Sequence, residues 1–241
     1  MNIVIDIETI PDQSPNAIDR YLSDDVKVSC PHKTKAAIGA DLGMDESEYK
    51  FIGAEDLKQK WIERKGDEAK KEQATAKWLK TSFDGGYGKI CCVCFSFNGQ
   101  FFTFVNGSER EFLADLWDKL NEILNGRHPN FIAHNAKFDL PFLYHRSVVN
   151  GVKPIRGFKP HGRHGQDYFC TMEAWAGFNG KIGLNRLAEI LSLGQKGNDM
   201  SGADVWPEYQ KGNIEKIASY CKQDVQLTSD VYDRLTFKTS K

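Results

Sequence analysis

Apolar and polar residues follow two distinct rhythms along this chain, and each predicts its own kind of element. Met1 to Thr9 opens on a short apolar run with β-branched Ile3, Val4 and Ile5, which predicts a buried strand. No basic segment precedes it and no small-residue cleavage site follows, so it does not read as a signal peptide. Pro11 ends it. Ile90 to Phe97 and Phe101 to Val105 are two further apolar runs, and Asn98-Gly99 between them predicts a tight hairpin. Ser108 with Glu111 forms a capping box ahead of Phe112, Leu113, Leu116, Leu120, Ile123 and Leu124, which recur at helical spacing until Gly126. Asn130 to Ala133 predicts a fourth strand, with a helix starting in the stretch from His134 to Pro141. Tyr168 to Cys170 predicts a fifth strand, Leu184 to Leu191 a helix, residues 195–212 a loop, and Ile214 to Leu235 a long final helix.

Residues 12 to about 88 carry the weakest pattern. Asp45 to Phe83 is rich in Lys, Glu, Ala and Gln, with Trp61, Ile62, Trp78 and Leu79 as packing points. That predicts one or two amphipathic helices inserted after the first strand, covering the main domain rather than forming a second core. Gly85 to Gly88 closes the insertion. The element order predicts one α/β domain over residues 1–241 with a mixed sheet.

Composition narrows the classes. At 241 residues the chain can bury a large core. Aromatics at 12% and charged residues at 27% fit a globular protein. A net charge of -1 excludes nucleic-acid binding through overall positive charge, but not through a local patch. No apolar run reaches the ~18 residues of a membrane span. The six cysteines lack paired spacing, which predicts a reduced, cytoplasmic setting. The arrangement of Cys30, His32, His161, His164 and Cys170 fits no zinc module.

Three polar features carry chemistry. Asp6 and Glu8 are two apart on a strand and share a face, where two carboxylates repel unless a cation lies between them. Asp139 follows Asn135 and Phe138 at a helix start. Tyr220 and Asp224 are one helical turn apart and look the same way. Each alone has an ordinary explanation: a solvated acid pair, a dipole-favoured acid, a half-buried tyrosine.

Together and in this order they resemble the exonuclease motifs of the DEDD superfamily, with Tyr220 marking its DEDDy branch; the sister branch has a His where Ser219 stands. The surrounding text is similar to the predicted 3′-5′ exonucleases related to the proofreading domain of B-family DNA polymerases: Asp6-Ile7-Glu8-Thr9, His134-Asn135, Phe138 to Leu143, and Tyr220 to Val225. The resemblance covers residues 1–10 and about 88–237, and none of Asp12 to Tyr87. It implies a ribonuclease H-like fold, a five-stranded mixed sheet flanked by helices. It also implies a free-standing, metal-dependent enzyme that hydrolyses DNA from the 3′ end and releases nucleoside monophosphates. Two Mg²⁺ or Mn²⁺ ions suit hard oxygen ligands and phosphodiester hydrolysis. On that reading Asp6 bridges the ions, Glu8 and Asp224 complete one, Asp139 holds the other, and Tyr220 orients the attacking water. Thr9, His134, Asn135 and Phe138 are the candidates for contacting the terminal nucleotide. An exoribonuclease and a silent nucleic-acid-binding module are the alternatives.

The stretch from Leu140 to Gln166 has no Asp or Glu but carries Arg146, Lys153, Arg156, Lys159 and Arg163. Because it follows Asp139, the sequence predicts a phosphate clamp beside the acids, formed by Lys153, Arg156, Lys159 and Arg163.

Overall fold

The computed structural model describes residues 1–22, 27–105, 107–194 and 200–238. Its centre is a five-stranded mixed sheet in the order β3-β2-β1-β4-β5, built from β1 (Asn2–Ile10), β2 (Lys89–Phe97), β3 (Gln100–Val105), β4 (Asn130–Ala133) and β5 (Tyr168–Cys170). The first strand of the chain is thus the middle strand of the sheet. It runs antiparallel to β2 and parallel to β4. Asn98 and Gly99 close the β2–β3 hairpin at φ 50° and 79°, the left-handed pair that a two-residue turn requires.

The helices in chain order are α1 (Lys35–Asp41), α2 (Glu46–Tyr49), α3 (Ala54–Leu79), α4 (Glu109–Leu124), α5 (Ala136–Val149), α6 (Thr171–Ala176), α7 (Leu184–Ile190), α8 (Val205–Gln210) and α9 (Ile214–Leu235). The Ser108–Glu111 capping box starts α4 as the sequence indicates. Among the described residues, the short helices α1, α6 and α8 escaped the sequence reading. α6 is only six residues long. α8 lies in the stretch expected to be a loop, of which residues 195–199 are outside the described residues. Short helices show too few apolar repeats to stand out from a loop.

Alternation along β1 builds two layers. Ile3, Ile5 and Ile7 face α4 and α5, joining Leu113, Leu116, Leu140 and Leu143 in a core. Val4 and Ile10 face the other way, into a layer with Cys92, Cys94 and the α9 residues Ile217, Tyr220, Cys221 and Val225. Asp6 and Glu8 belong to this second face by the same alternation.

A buried ion pair ties the first layer together. Arg146 of α5 donates to Glu109 at the start of α4 through Nε (2.9 Å) and Nη2 (2.6 Å). Glu109 also accepts from the backbone N–H of Ile90 at 2.7 Å, and Arg146 donates to the Gly85 carbonyl at 3.3 Å.

Contacts divide the chain into two compact units, Met1–Pro11 with Thr81–Lys241, and Asp12–Lys80. The second unit holds α1, α2 and α3. Contrary to the expectation of a mere cover, it has an apolar cluster of its own, Ile38, Leu57 and Trp61. Trp61 is packed as expected, whereas Leu79 is exposed. Among the described residues no helix is long and apolar enough to cross a membrane.

Candidate active site

Each acid reaches the site through a different piece of local structure. β1 delivers Asp6 and Glu8 on the face that α9 covers. Glu8 is buried, and one ligand atom from each of Asp6, Glu8 and Cys221 lies within 4.8 Å of the others. The pairing of β1 with β2 shifts register after Glu8: Glu8 stands opposite Cys92 and Thr9 opposite Ile90. Cys91 is therefore an extra residue, a bulge of the kind that bends a strand and re-aims its side chains. Its thiol donates to the Glu8 carbonyl at 3.4 Å.

Asp139 arrives where β4 has ended. The pairing of β1 with β4 covers only Asn2 to Val4. Past that point the first turn of α5 takes over, and the Asp139 carboxylate accepts hydrogen bonds from the backbone N–H groups of Ile7 and of Asp139 itself. Burial, followed by the negative charge of Asp6, pushes its carboxyl well above the usual range.

Tyr220 and Asp224 come from α9, are one turn apart, and are both buried. Burial and the neighbouring carboxylates of Glu8 and Asp6 push the Tyr220 phenol upward, so it keeps its proton at neutral pH. Asp6 and Glu8 lie together with Cys221, Asp139 is near enough to Asp6 to feel its charge, and Tyr220 feels the charges of Glu8 and Asp6. Asp224 lies on the same helical face as Tyr220, with its position fixed by α9.

The other sequence-chosen residues divide. Thr9 donates through Oγ1 to the Ser82 carbonyl at 2.7 Å. Both ring nitrogens of His134 meet protein partners, Thr171 Oγ1 at 2.9 Å and the Ile182 carbonyl at 2.8 Å. Asn135 precedes α5 and is exposed. Phe138 is half-buried, with its ring 5.3 Å from Phe142 and 6.3 Å from Phe83.

The basic stretch begins only after α5 has run its length. α5 begins at the acids and runs for 14 residues, about 20 Å, before the stretch starts. The chain then returns to the start of β5, which is parallel to β4. Lys153, Arg156, Lys159 and Arg163 are exposed on that return. Gly157 packs there against His128 and Pro129, at the far end of the sheet, and Lys159 pairs with Asp167. The middle of the stretch lies back along α5, where the His161 ring is 5.9 Å from those of Tyr144 and His145, less than two turns from Asp139. Arg146 is the buried partner of Glu109 and has no part in a clamp.

Cys221 was overlooked because a cysteine in an apolar helix face reads as packing. Its place midway between Ile217 and Val225, next to Tyr220, is the signal that sets it against β1. Burial raises its thiol well above the ordinary value, and it donates to the Asp6 carbonyl at 3.5 Å.

A mixed five-stranded sheet flanked by helices, with acids near where its middle strand meets the start of one helix and the face of another, is a ribonuclease H-like fold. The chain belongs to the family of predicted 3′-5′ exonucleases related to the exonuclease domain of PolB, whose model matches residues 87–241. No curated protein matches it. The family match takes in Asp139, Tyr220 and Asp224 but leaves out β1. The sheet supplies the missing strand and, with it, Asp6 and Glu8.

Proposed function

We propose that the protein is a metal-dependent exonuclease that hydrolyses DNA from the 3′ end and releases nucleoside monophosphates. The observation that carries this is the gathering of Asp6 and Glu8, from outside the matched region, against Cys221 of α9 from within it, with Tyr220 and Asp139 near enough to feel their charge. Such crowding of carboxylates is unfavourable without a cation, and the oxygen-rich donor set fits Mg²⁺ or Mn²⁺. Asp6, Glu8, Asp139 and Asp224 would hold two such ions. When bound, divalent ions there supply an activated water and stabilise the departing 3′ oxygen.

The protein's own side chains orient the reaction. Tyr220, held in its protonated form, offers a hydrogen bond to an oxygen beside Glu8 rather than acting as a base. Asp139, anchored by the Ile7 N–H, fixes the end of the cleft where β1 and β4 part. Thr9, Asn135 and Phe138 line the approach to the terminal nucleotide, while His134 keeps the β4 exit in place. An unpaired 3′ end, as arises in replication and repair, is the substrate form we favour. Six free cysteines accord with work in a reducing, cytoplasmic setting.

The test is to digest 3′- and 5′-labelled DNA and RNA strands with the purified protein, with and without divalent ions. Release of mononucleotides from 3′ ends of DNA supports the proposal. Preference for RNA would move the assignment to an exoribonuclease, and binding without cleavage to a silent module.

A further inference from the structure

The first turn of α5 carries more than Asp139. Phe138 packs against Phe83, a residue just before the family match, and the Phe83 ring is 73% exposed. Thr9 holds that segment in place through its bond to the Ser82 carbonyl, one residue away from Phe83 and one from Glu8. On the adjoining sector of the same turn, Lys137 holds its ammonium 4.2 Å over the ring of Phe178, which is 77% exposed. Glu173 steadies Lys137 at 3.1 Å. Consecutive helical residues are about 100° apart, so Phe83, beside Phe138, and Phe178, beneath Lys137, stand at adjoining sectors of one helix end. Both rings stand largely in solvent at the helix end that carries the buried Asp139.

We infer that Phe83, Lys137 and Phe178 form the track for the unpaired strand. Bases of the last few nucleotides stack on Phe83 and Phe178, and Lys137 faces the phosphate between them. Stacking on aromatic platforms next to a cation holds a single strand without reading its sequence. The inference rests on the proposed exonuclease reading and names its substrate form. Because both rings are largely exposed, removing them leaves the fold intact.

The test compares wild type with Phe83→Ala, Phe178→Ala and the double variant. KM and kcat are measured on an unpaired 3′-labelled strand, and on the same strand with abasic residues at its last two positions. Each phenylalanine removed should raise KM about tenfold with kcat nearly unchanged, in line with the usual weight of one stacked base. Phe83→Trp should restore it. On the abasic strand wild type should already show the raised KM, with no further loss in the variants. Equal KM in wild type and double variant, or an equal penalty on the abasic strand, would overturn the track. If wild type cleaves no 3′ end, the exonuclease reading fails separately. The track is then decided by fluorescence of 2-aminopurine placed at the last two positions, quenched by wild type but not by the double variant if stacking occurs.

Discussion

Burial of Asp139 on α5 disfavours its ionised carboxyl, and the negative charge of Asp6 on β1 adds to that cost. An acid raised in the folded state costs stability as pH climbs from its unfolded value through its folded one. In metal-free protein the pair therefore weakens the fold at neutral pH and does not in mild acid. Asp139→Asn keeps an oxygen for the Ile7 N–H and removes the charge. It should raise the metal-free Tm at pH 7 by a few degrees, the response expected of about 1 kcal/mol in a domain of this size. The gain should vanish as pH falls below the ordinary aspartate range. Mg²⁺ or Mn²⁺ should stabilise wild type more than the variant. Thermal denaturation with and without metal reads all three; an Asp139→Asn protein less stable than wild type at pH 7 would count against the repulsion.

Tyr220 and Asp6 should separate in their effects. Asp6→Ala removes a carboxylate shared by the whole cluster and should lower kcat by at least about a thousandfold, with divalent-ion binding weakened as read by calorimetry. Tyr220→Phe removes one hydroxyl, so ion binding should persist while kcat falls about ten- to a hundredfold, the range of one oriented hydrogen bond in a reacting site. The loss should not recover at high pH, since the phenol acts with its proton on. A Tyr220→Phe enzyme with wild-type kcat would make Tyr220 a packing residue.

Most of the fold can be read in the sequence because its strands and long helices are strongly patterned. β1, the β2–β3 hairpin, α4 and α9 follow from apolar spacing, Asn98-Gly99 and the Ser108 box. The acids are legible as a set because Asp6 and Glu8 share a strand face, and Tyr220 and Asp224 a helix face. What the sequence does not carry is position in three dimensions. Lys153 to Arg163 follow Asp139 in the chain, and only the structure shows Gly157 against His128 and Pro129, and His161 against Tyr144 and His145. Arg146 has the look of a surface cation, and only the structure shows Glu109 burying it. Phe83 fell within a stretch read as insertion, so its closeness to Phe138 had no sequence signal.

The Arg146–Glu109 pair should behave as structure, not as substrate contact. Arg146→Met leaves the Glu109 charge buried without its guanidinium and should destabilise the protein by about 3–5 kcal/mol, the usual cost of breaking a buried pair. Urea denaturation measures it. KM for a short strand, measured below the new transition, should stay within twofold of wild type; a large KM rise would return Arg146 to the substrate.

Placement of the basic stretch makes an opposite forecast for its cations. Changing Lys153, Arg156, Lys159 and Arg163 together to Ala should leave KM for a strand of about five nucleotides unchanged, because the aromatic track rather than these cations holds the last nucleotides. Only a much longer strand could reach them, and its salt dependence would then flatten as fewer counterions are released. A tenfold KM rise on the short strand would show that the stretch reaches the cleft after all.

The most direct measurement is polarity and metal dependence of cleavage on one end-labelled DNA strand. With Mg²⁺ or Mn²⁺, a 3′-labelled strand should lose its label at once as mononucleotide, while a 5′-labelled strand shortens stepwise. EDTA should stop both. Mononucleotide release that starts at the 5′ end, or digestion undiminished in EDTA, would contradict an exonuclease built on Asp6, Glu8, Asp139 and Asp224.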